Sequence, residues 1–459
     1  MPTAAFTTLG CKVNQYETQK ILESFEDAGF EVVPFDGPAD VYVINTCSVT
    51  SQAEAKSRYT IRRANRNNPD AKVVVTGCAS QMASNKGEGI EGADVVVPNP
   101  EKLAALKYLL RVFPGLARPP KRRNPEPLTP NPSPRHSSGR GELGNSIDRE
   151  PQHFSGRTRA TLKIQDGCSV FCSYCSIPYT RPVMSSRPYR DVIEEALRMA
   201  AMGYREIILT GVLIGAYGQK TGSGGPDFED LVEKVADGMD GVRIRISSIE
   251  MTQVTPRLIS LLKAGLVAPH LHIPLQAGDT GVLRDMSRPY TQSDYLDLCA
   301  RVYAEVPDIS ITTDIMVGFP TELEAGFRST VEVCEQVGFL KAHVFRFSPR
   351  YGTPADKWGD PIGPQEKQRR AMMLADISRR TGEDHARRFL GRTMRVLVEG
   401  KIGKDGMLEG LSDNYLTVKF AGSPSLARSF VNVRLDEVRE GFVYGELSSL
   451  SVQKQLRVV

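Results

Sequence analysis

The sequence predicts a multidomain α/β chain. It has an N-terminal parallel α/β sheet, a central run of β/α units forming a barrel or part of one, and a small C-terminal β-barrel. Three observations carry this: strand and helix signals alternate over roughly the first hundred residues, six further strand signals separated by helical stretches follow, and the end of the chain holds short strands without helices. At 459 residues, 40% hydrophobic and 24% charged, the chain has room for several cores. The opening MPTAAFTTLGCK has no basic or apolar leader pattern, and no stretch is apolar enough to span a bilayer, so the expectation is a cytoplasmic protein without a membrane partner. A net charge of +4 permits an anionic partner without demanding one.

The first domain is expected over 1–112. AAFTTLG, DVYVINT and AKVVVTG read as buried parallel strands, and ETQKILESFEDAGF has helical apolar spacing. Cys11, Cys47 and Cys78 each fall just past the end of one of these strands. That edge of an open parallel sheet is where ligands bind. A single such cysteine reads as core, but three at one topological position favour a metal cluster.

From 113 to 154 the text turns to Pro, Arg, Ser and Gly, as in PPKRRNPEPLTPNPSPRHSSGRGELGNS, and reads as a disordered linker. Residues 155–390 hold the strand signals RATLKIQDG, REIILTGV, VRIRISSIE, PHLHIPLQ, ISITTDIMVGFP and KAHVFRFSPR, with a trailing basic helix. In such repeats the chemistry sits in the loops at the strands' C-terminal ends. The loop after the first strand reads QDGCSVFCSYCSIPYTR and places Cys168, Cys172 and Cys175 in a CxxxCxxC run. Three close thiolates suit an iron–sulfur centre. A cubane has four irons, so three cysteines leave one iron open to a substrate or cosubstrate. A zinc knuckle would need a fourth ligand close by, and the nearest downstream histidine is His270. His270 and His272 read as structural, and Cys299 and Cys334 as core. Residues 391–455 carry the short, evenly spaced strands of a small barrel.

Phe171 and Tyr174 within the cysteine loop, followed by Ile177-Pro178-Tyr179, resemble the radical S-adenosylmethionine (SAM) signature. The whole layout is similar to the methylthiotransferase family: an N-terminal three-cysteine domain, a radical SAM partial (β/α)6 barrel and a C-terminal TRAM domain, a small OB-like barrel. The opening TLGCKVNQYET resembles the branch acting on tRNA N6-threonylcarbamoyladenosine, and NTCSVT, LTGVLIGAYG, HLHIPLQAGD, TDIMVGFPTE and FRFSPRYGTPA match the family. The isopentenyladenosine branch tends to show Gly-Cys-Gln-Met-Asn, and the ribosomal-protein branch a Pro after the first Cys. Departures fall at Ala79, Pro98, Pro182 and Met251, none of them a cluster ligand.

The resemblance implies two 4Fe-4S clusters, one on Cys11, Cys47 and Cys78 and one on Cys168, Cys172 and Cys175. It implies SAM cleavage to a 5′-deoxyadenosyl radical, hydrogen removal from adenine C2 at tRNA position 37 and transfer of a methylthio group there. No side-chain acid or base is implied, because an aromatic C–H has no useful acidity and the cofactors carry the chemistry. SAM contacts are expected from Tyr174, Gly211, Ser247, Glu250, Gln276 and Gly318. Arg181, Arg187, Arg387 and Arg388 are candidates for the RNA substrate, with ion-pair roles as the alternative for the first two. A reducing partner such as flavodoxin or ferredoxin is also implied, and the sulfur donor stays open. Alternatives are another tRNA adenosine, a ribosomal protein, or an iron–sulfur RNA-binding protein without catalysis.

Overall fold

The computed structural model describes residues 1–116, 157–219, 225–403 and 405–449, so the expected linker lies, from residue 117 on, outside the described residues. The N-terminal unit runs β1 (Thr3–Thr8), α1 (Lys12–Asp27), β2 (Glu31–Val33), β3 (Val41–Thr46), α2 (Ser51–Asn67), β4 (Lys72–Gly77), α3 (Cys78–Lys86), β5 (Val95–Val96) and α4 (Ala105–Val112). Its sheet has the order β2-β1-β3-β4-β5, with every pairing parallel. β3 is buried at every position, as the unbroken apolar run VYVIN requires of a strand covered on both faces. The short edge strands β2 and β5 were not legible as strands.

The central unit carries all six expected strands. They are interleaved as β6 (Ala160–Lys163), β7 (Gln165–Asp166), α5 (Ile177–Thr180), β8 (Ser185–Ser186), α6 (Tyr189–Ala201), β9 (Glu206–Thr210), α7 (Phe228–Asp237) and β10 (Arg243–Ile246). Then follow α8 (Pro256–Lys263), β11 (His270–His272), α9 (Thr280–Asp285), α10 (Gln292–Glu305), β12 (Ser310–Val317), α11 (Glu324–Val337), β13 (Lys341–Arg346) and α12 (Pro364–Arg387). Two parallel three-stranded sheets, β6-β9-β10 and β11-β12-β13, are joined by a parallel bridge between Ser248 and His272. The result is an open six-stranded barrel in chain order. Ala160, Leu162, Ile207 and Leu209 face the helices in one large apolar core, which also holds Cys299 and Cys334.

The C-terminal strands β14 (Thr393–Ile402), β15 (Leu408–Ser412), β16 (Thr417–Phe420), β17 (Phe430–Arg439) and β18 (Phe442–Leu447) close into a barrel, β14-β15-β16-β18-β17. This small barrel plugs the entry end of the central one. Tyr415, held at φ 76°, stacks on His270 with ring centroids 3.9 Å apart. Arg243 donates to the Leu411 carbonyl and Arg245 to those of Ser412 and Asp413, while both guanidinium groups pair with the buried Glu206. No described helix is long and apolar enough to cross a membrane.

Candidate active site

Cys11 caps α1 past the end of β1, Cys47 follows β3 and Cys78 opens α3 at the end of β4. The parallel order β1-β3-β4 makes these neighbouring strands, so the three thiols meet on one rim. The backbone there is closely fitted. Gly10 (φ 93°) precedes Cys11, and a Cβ on it would lie 2.7 Å from the Cys47 sulfur; Gly77 (φ 99°) precedes Cys78, and its Cβ would lie 2.4 Å from the Thr46 carbonyl oxygen. Only glycine allows both turns. The buried Asn14 amide donates to the carbonyls of Leu9 (2.9 Å) and Thr46 (3.0 Å), tying the Cys11 and Cys47 loops together.

Cys47 and Cys78 are buried, whereas Cys11 is exposed. Burial pushes the Cys47 thiol up to about 11, with Cys78 and Cys11 adding to the rise, and burial followed by repulsion from Cys78 raises Cys11. Cys11 and Cys47 therefore both feel Cys78. Among the described residues no three Cys, His, Asp or Glu side chains could share a single metal ion. A cubane does not ask for that, because each thiolate takes a different iron. The donor set and its spacing fit such a cluster.

The second cysteine set lies in the loop between β7 and α5, at the C-terminal end of the first barrel strand. Ser173 anchors this loop, its N–H donating to the Met286 carbonyl (3.1 Å) and its hydroxyl to that of Asp285 (2.7 Å). The Cys175 N–H donates to the Cys172 carbonyl (3.0 Å) and the Val170 N–H to the Cys168 sulfur (3.5 Å), curling the thiols inward. Burial pushes Cys175 up to about 12 and raises Cys168. Thiols held protonated in this way bind metal by giving up protons, so loading is coupled to pH.

The SAM candidates share this rim. Gly211 follows β9, Ser247 and Glu250 follow β10, Gln276 lies past β11, and Gly318 (φ 74°) follows β12. Tyr174 is packed edge-on against Phe319 beside Gly318, with ring centroids 6.4 Å apart. Gln276, at φ 67°, is pinned to β12 by its N–H to the Asp314 carbonyl and its carbonyl from the Met316 N–H.

One important residue escaped the sequence reading. Arg288 is buried and donates to the Cys172 sulfur at 3.2 Å, to Tyr290 Oη at 3.1 Å and to the Glu250 carboxylate. It joins a cysteine of the loop, 116 residues before it, to a SAM candidate 38 residues before it. Only its place just after the positive-φ Ser287 sets it apart locally.

The two cysteine sites are tied to each other. Asn99 donates to the Thr180 carbonyl (2.7 Å) and its amide lies 4.0 Å from the Cys78 sulfur, while Asn85 donates to the Tyr179 carbonyl (3.1 Å). A cavity of about 90 Å³ opens where Ser48, next to Cys47, meets Ser176, next to Cys175. At the same domain boundary Glu17 pairs with Lys102 (2.7 Å), Lys163 (2.6 Å) and Arg181 (2.8 Å).

Of the four arginines expected near RNA, Arg181 is buried in this network and Arg187 pairs with Glu195 and Tyr16. Both thus take the ion-pair alternative. Arg387 pairs with Glu383 and Asp384 on its own helix, and Arg388 donates to the Pro307 carbonyl. The basic look of α12 is largely cancelled in this way, with Arg369, Arg370, Arg379 and Arg380 also facing carboxylates. His270 and His272 both bond the Thr312 hydroxyl at 2.9 Å.

Known families account for this arrangement. The radical SAM superfamily matches residues 162–334, the TRAM domain residues 387–448, and the uncharacterized protein family UPF0004 residues 3–98. The central unit is thus a radical SAM domain, a class that implies a 4Fe-4S cluster and SAM. A threonylcarbamoyladenosine tRNA methylthiotransferase MtaB of Bacillus subtilis is 36% identical over 451 residues, covering 97% of this chain and 96% of the relative. Its namesake from Thermotoga maritima is 34% identical, covering 96% of each. A tRNA-2-methylthio-N(6)-dimethylallyladenosine synthase of Geobacillus thermodenitrificans is 32% identical, covering 97% of this chain and 83% of the relative. The chain belongs to the tRNA methylthiotransferase family. In fold it is similar to the radical SAM methyltransferase TsrM from Kitasatospora setae, with TM-score 0.53 and 16% identity over 78% of this chain and 74% of that one.

Proposed function

We propose that the protein methylthiolates C2 of N6-threonylcarbamoyladenosine at position 37 of tRNA, using two 4Fe-4S clusters and SAM. The observation that carries this reading is that Ser48 and Ser176, the chain neighbours of Cys47 and Cys175, line one small cavity, while Asn99 links the Cys78 sulfur to the Thr180 carbonyl. When bound, the clusters and SAM supply one-electron cleavage, hydrogen abstraction from C2 and the methylthio group.

The chain's own residues position and shield that chemistry. Cys11, Cys47 and Cys78 would hold one cluster and Cys168, Cys172 and Cys175 the other. Arg288 offers a charge-assisted hydrogen bond to the Cys172 sulfur and orients Glu250 toward the SAM rim. Tyr174, Gly211, Ser247, Gln276 and Gly318 line the same strand ends, where small residues admit a nucleoside and polar ones bind it. Glu17 and its three cations fix the distance between the cysteine sets. Positioning of this kind matters when a reactive intermediate must meet a single C–H bond. The TRAM barrel supports tRNA as the substrate, and the tRNA substrate supports a cytoplasmic setting. The radical chemistry calls for a one-electron reductant such as flavodoxin or ferredoxin.

The test is iron and sulfide content after anaerobic reconstitution, for wild type and a Cys168/Cys172/Cys175 triple-Ala variant, with nucleoside analysis of tRNA after turnover. About eight irons in the wild type, about four in the variant, and 2-methylthio-N6-threonylcarbamoyladenosine among the products are expected. About four irons in the wild type and none in the variant would reduce the N-terminal cysteines to core residues. A methylthiolated isopentenyladenosine product would instead move the substrate to the other named branch.

A further inference from the structure

A cavity of about 660 Å³ lies between α1, the start of the radical SAM barrel and the TRAM strands β14 and β15. That size suits a small-molecule group, for which about 300–1,000 Å³ is usual. Its lining includes Lys12, Gln15, Arg157, Arg159, Glu399 and Glu409. Three of these charges are already engaged: Arg159 pairs with Glu399, and Arg157 donates to Gln15 Oε1 at 2.7 Å. Glu409 stands across the strand pair from Lys419. Lys12 is different. It is partly buried, and no hydrogen bond or ion pair to its ammonium is formed among the described residues.

The neighbourhood has further unpartnered nitrogens. Arg245, Glu206 and Arg159 lie within electrostatic reach of Lys12, and Arg159, in the cavity lining, and Arg245, behind it, each have a buried Nη1 without a partner among the described residues. Buried polar atoms normally find partners. Glu206 is already taken by Arg243 and Arg245, so a cation without its own partner beside orphaned nitrogens is the counterpart of an anion that the described residues do not provide.

We propose that this cavity receives the carboxylate of the threonylcarbamoyl group, with Lys12 as its counter-ion and hence as the residue that determines specificity. The inference rests on the proposed function and deepens it. In adenine, C2 and C6, which carries N6, flank N1 on one edge of the base, and their outward bonds diverge. A base that offers C2 to the cysteines therefore directs its N6 group to one side of them. Lys12 directly follows Cys11, so the first turn of α1 lies beside both the sulfur site and the cavity. An isopentenyl group, with no charge, would leave Lys12 and the orphaned donors unanswered, and such sites discriminate strongly. A tRNA backbone phosphate is the other anion of matching chemistry.

The test measures equilibrium affinity of the reconstituted holoenzyme and its Lys12→Gln and Lys12→Arg variants for two tRNAs. One carries N6-threonylcarbamoyladenosine at position 37 and the other plain adenosine. Loss of a charge-assisted bond predicts roughly tenfold or greater weakening toward the modified tRNA in Lys12→Gln. Affinity for the plain tRNA should stay the same, which also reports an intact fold, and Lys12→Arg should recover most of the loss. Equal weakening toward both tRNAs would assign Lys12 to a phosphate and overturn the proposal, as would no change toward either. If the wild type fails to methylthiolate the modified tRNA at all, the proposed function falls too; if it succeeds while Lys12→Gln keeps full discrimination, only this inference falls.

Discussion

Glu17→Gln is the most informative structural perturbation, because Glu17 is where the N-terminal domain is locked onto the radical SAM domain. Its carboxylate faces Lys102 of its own domain and Lys163 and Arg181 of the next. Burial alone would raise this carboxyl, but Lys102 and Arg181, with Lys163, outweigh it and hold it well below the usual carboxylate range. Removing one partner of a buried ion pair costs about 3–5 kcal/mol, chiefly because the other charge is stranded. Three cations do not triple that figure. Lys163 and Arg181 each keep Asp166 at 2.6 Å, whereas Lys102 keeps only Asn14 Oδ1 at 3.5 Å. One stranded charge therefore sets the expectation at about 3–5 kcal/mol.

The assay is native-state hydrogen exchange of the α1 amides, which reads local opening without assuming a two-state transition for the whole chain. Glu17→Gln should lower the opening free energy by that amount. A Glu17→Gln/Lys102→Met double variant should recover most of it, since it removes the stranded charge as well. A fall of under about 1.4 kcal/mol, or a double variant worse than the single, would refute the stranded-charge argument. The pH dependence has a definite sign. The folded-state value is depressed, so the stabilisation is fully present above the unfolded carboxyl value of about 4.3 and is lost as pH falls below it. Wild-type α1 should therefore lose excess protection in acid, while the Gln variant shows a flatter profile.

Three further outcomes are expected. Cys172→Ala should abolish SAM cleavage, whereas Cys47→Ala should keep cleavage and end methylthiolation; product analysis under reducing, anaerobic conditions would expose equal loss of both as contrary evidence. Arg288→Met removes a cationic donor from the Cys172 sulfur and should make the cluster harder to reduce. A shift on the order of 60 mV to more negative potential would match a tenfold change for a one-electron couple, and an EPR-monitored titration showing none would deny the contact a tuning role. Deleting residues from Arg392 onward should destabilise the radical SAM barrel as well as weaken tRNA binding, because Arg243 and Arg245 lose carbonyl partners and His270 loses Tyr415. A truncated protein whose SAM-cleavage activity survives heating as the full chain's does would contradict this.

What the sequence made legible follows from how local each signal is. The strands carrying Cys11, Cys47 and Cys78 announce themselves by unbroken apolar runs. Parallel pairing then places the residue after each strand on one edge, with no knowledge of long-range contacts. The six barrel strands and the Cys168 loop are local in the same sense. Cys299 and Cys334 likewise betray their burial by lying on apolar helix faces, and both are buried.

The arginines show the opposite case. A guanidinium reads the same in sequence whether it meets a phosphate or a carboxylate far along the chain. Arg181 meets Glu17, and Arg288 meets Glu250 and Cys172, through turns set by the whole fold. Charge on a helix such as α12 misleads for a related reason, since its cations are answered by carboxylates three or four residues away and on α11. Lys12 is informative because it breaks this rule. Where cation after cation near the interface finds a carboxylate, one that lines a cavity without a partner among the described residues points to a charge supplied by the substrate.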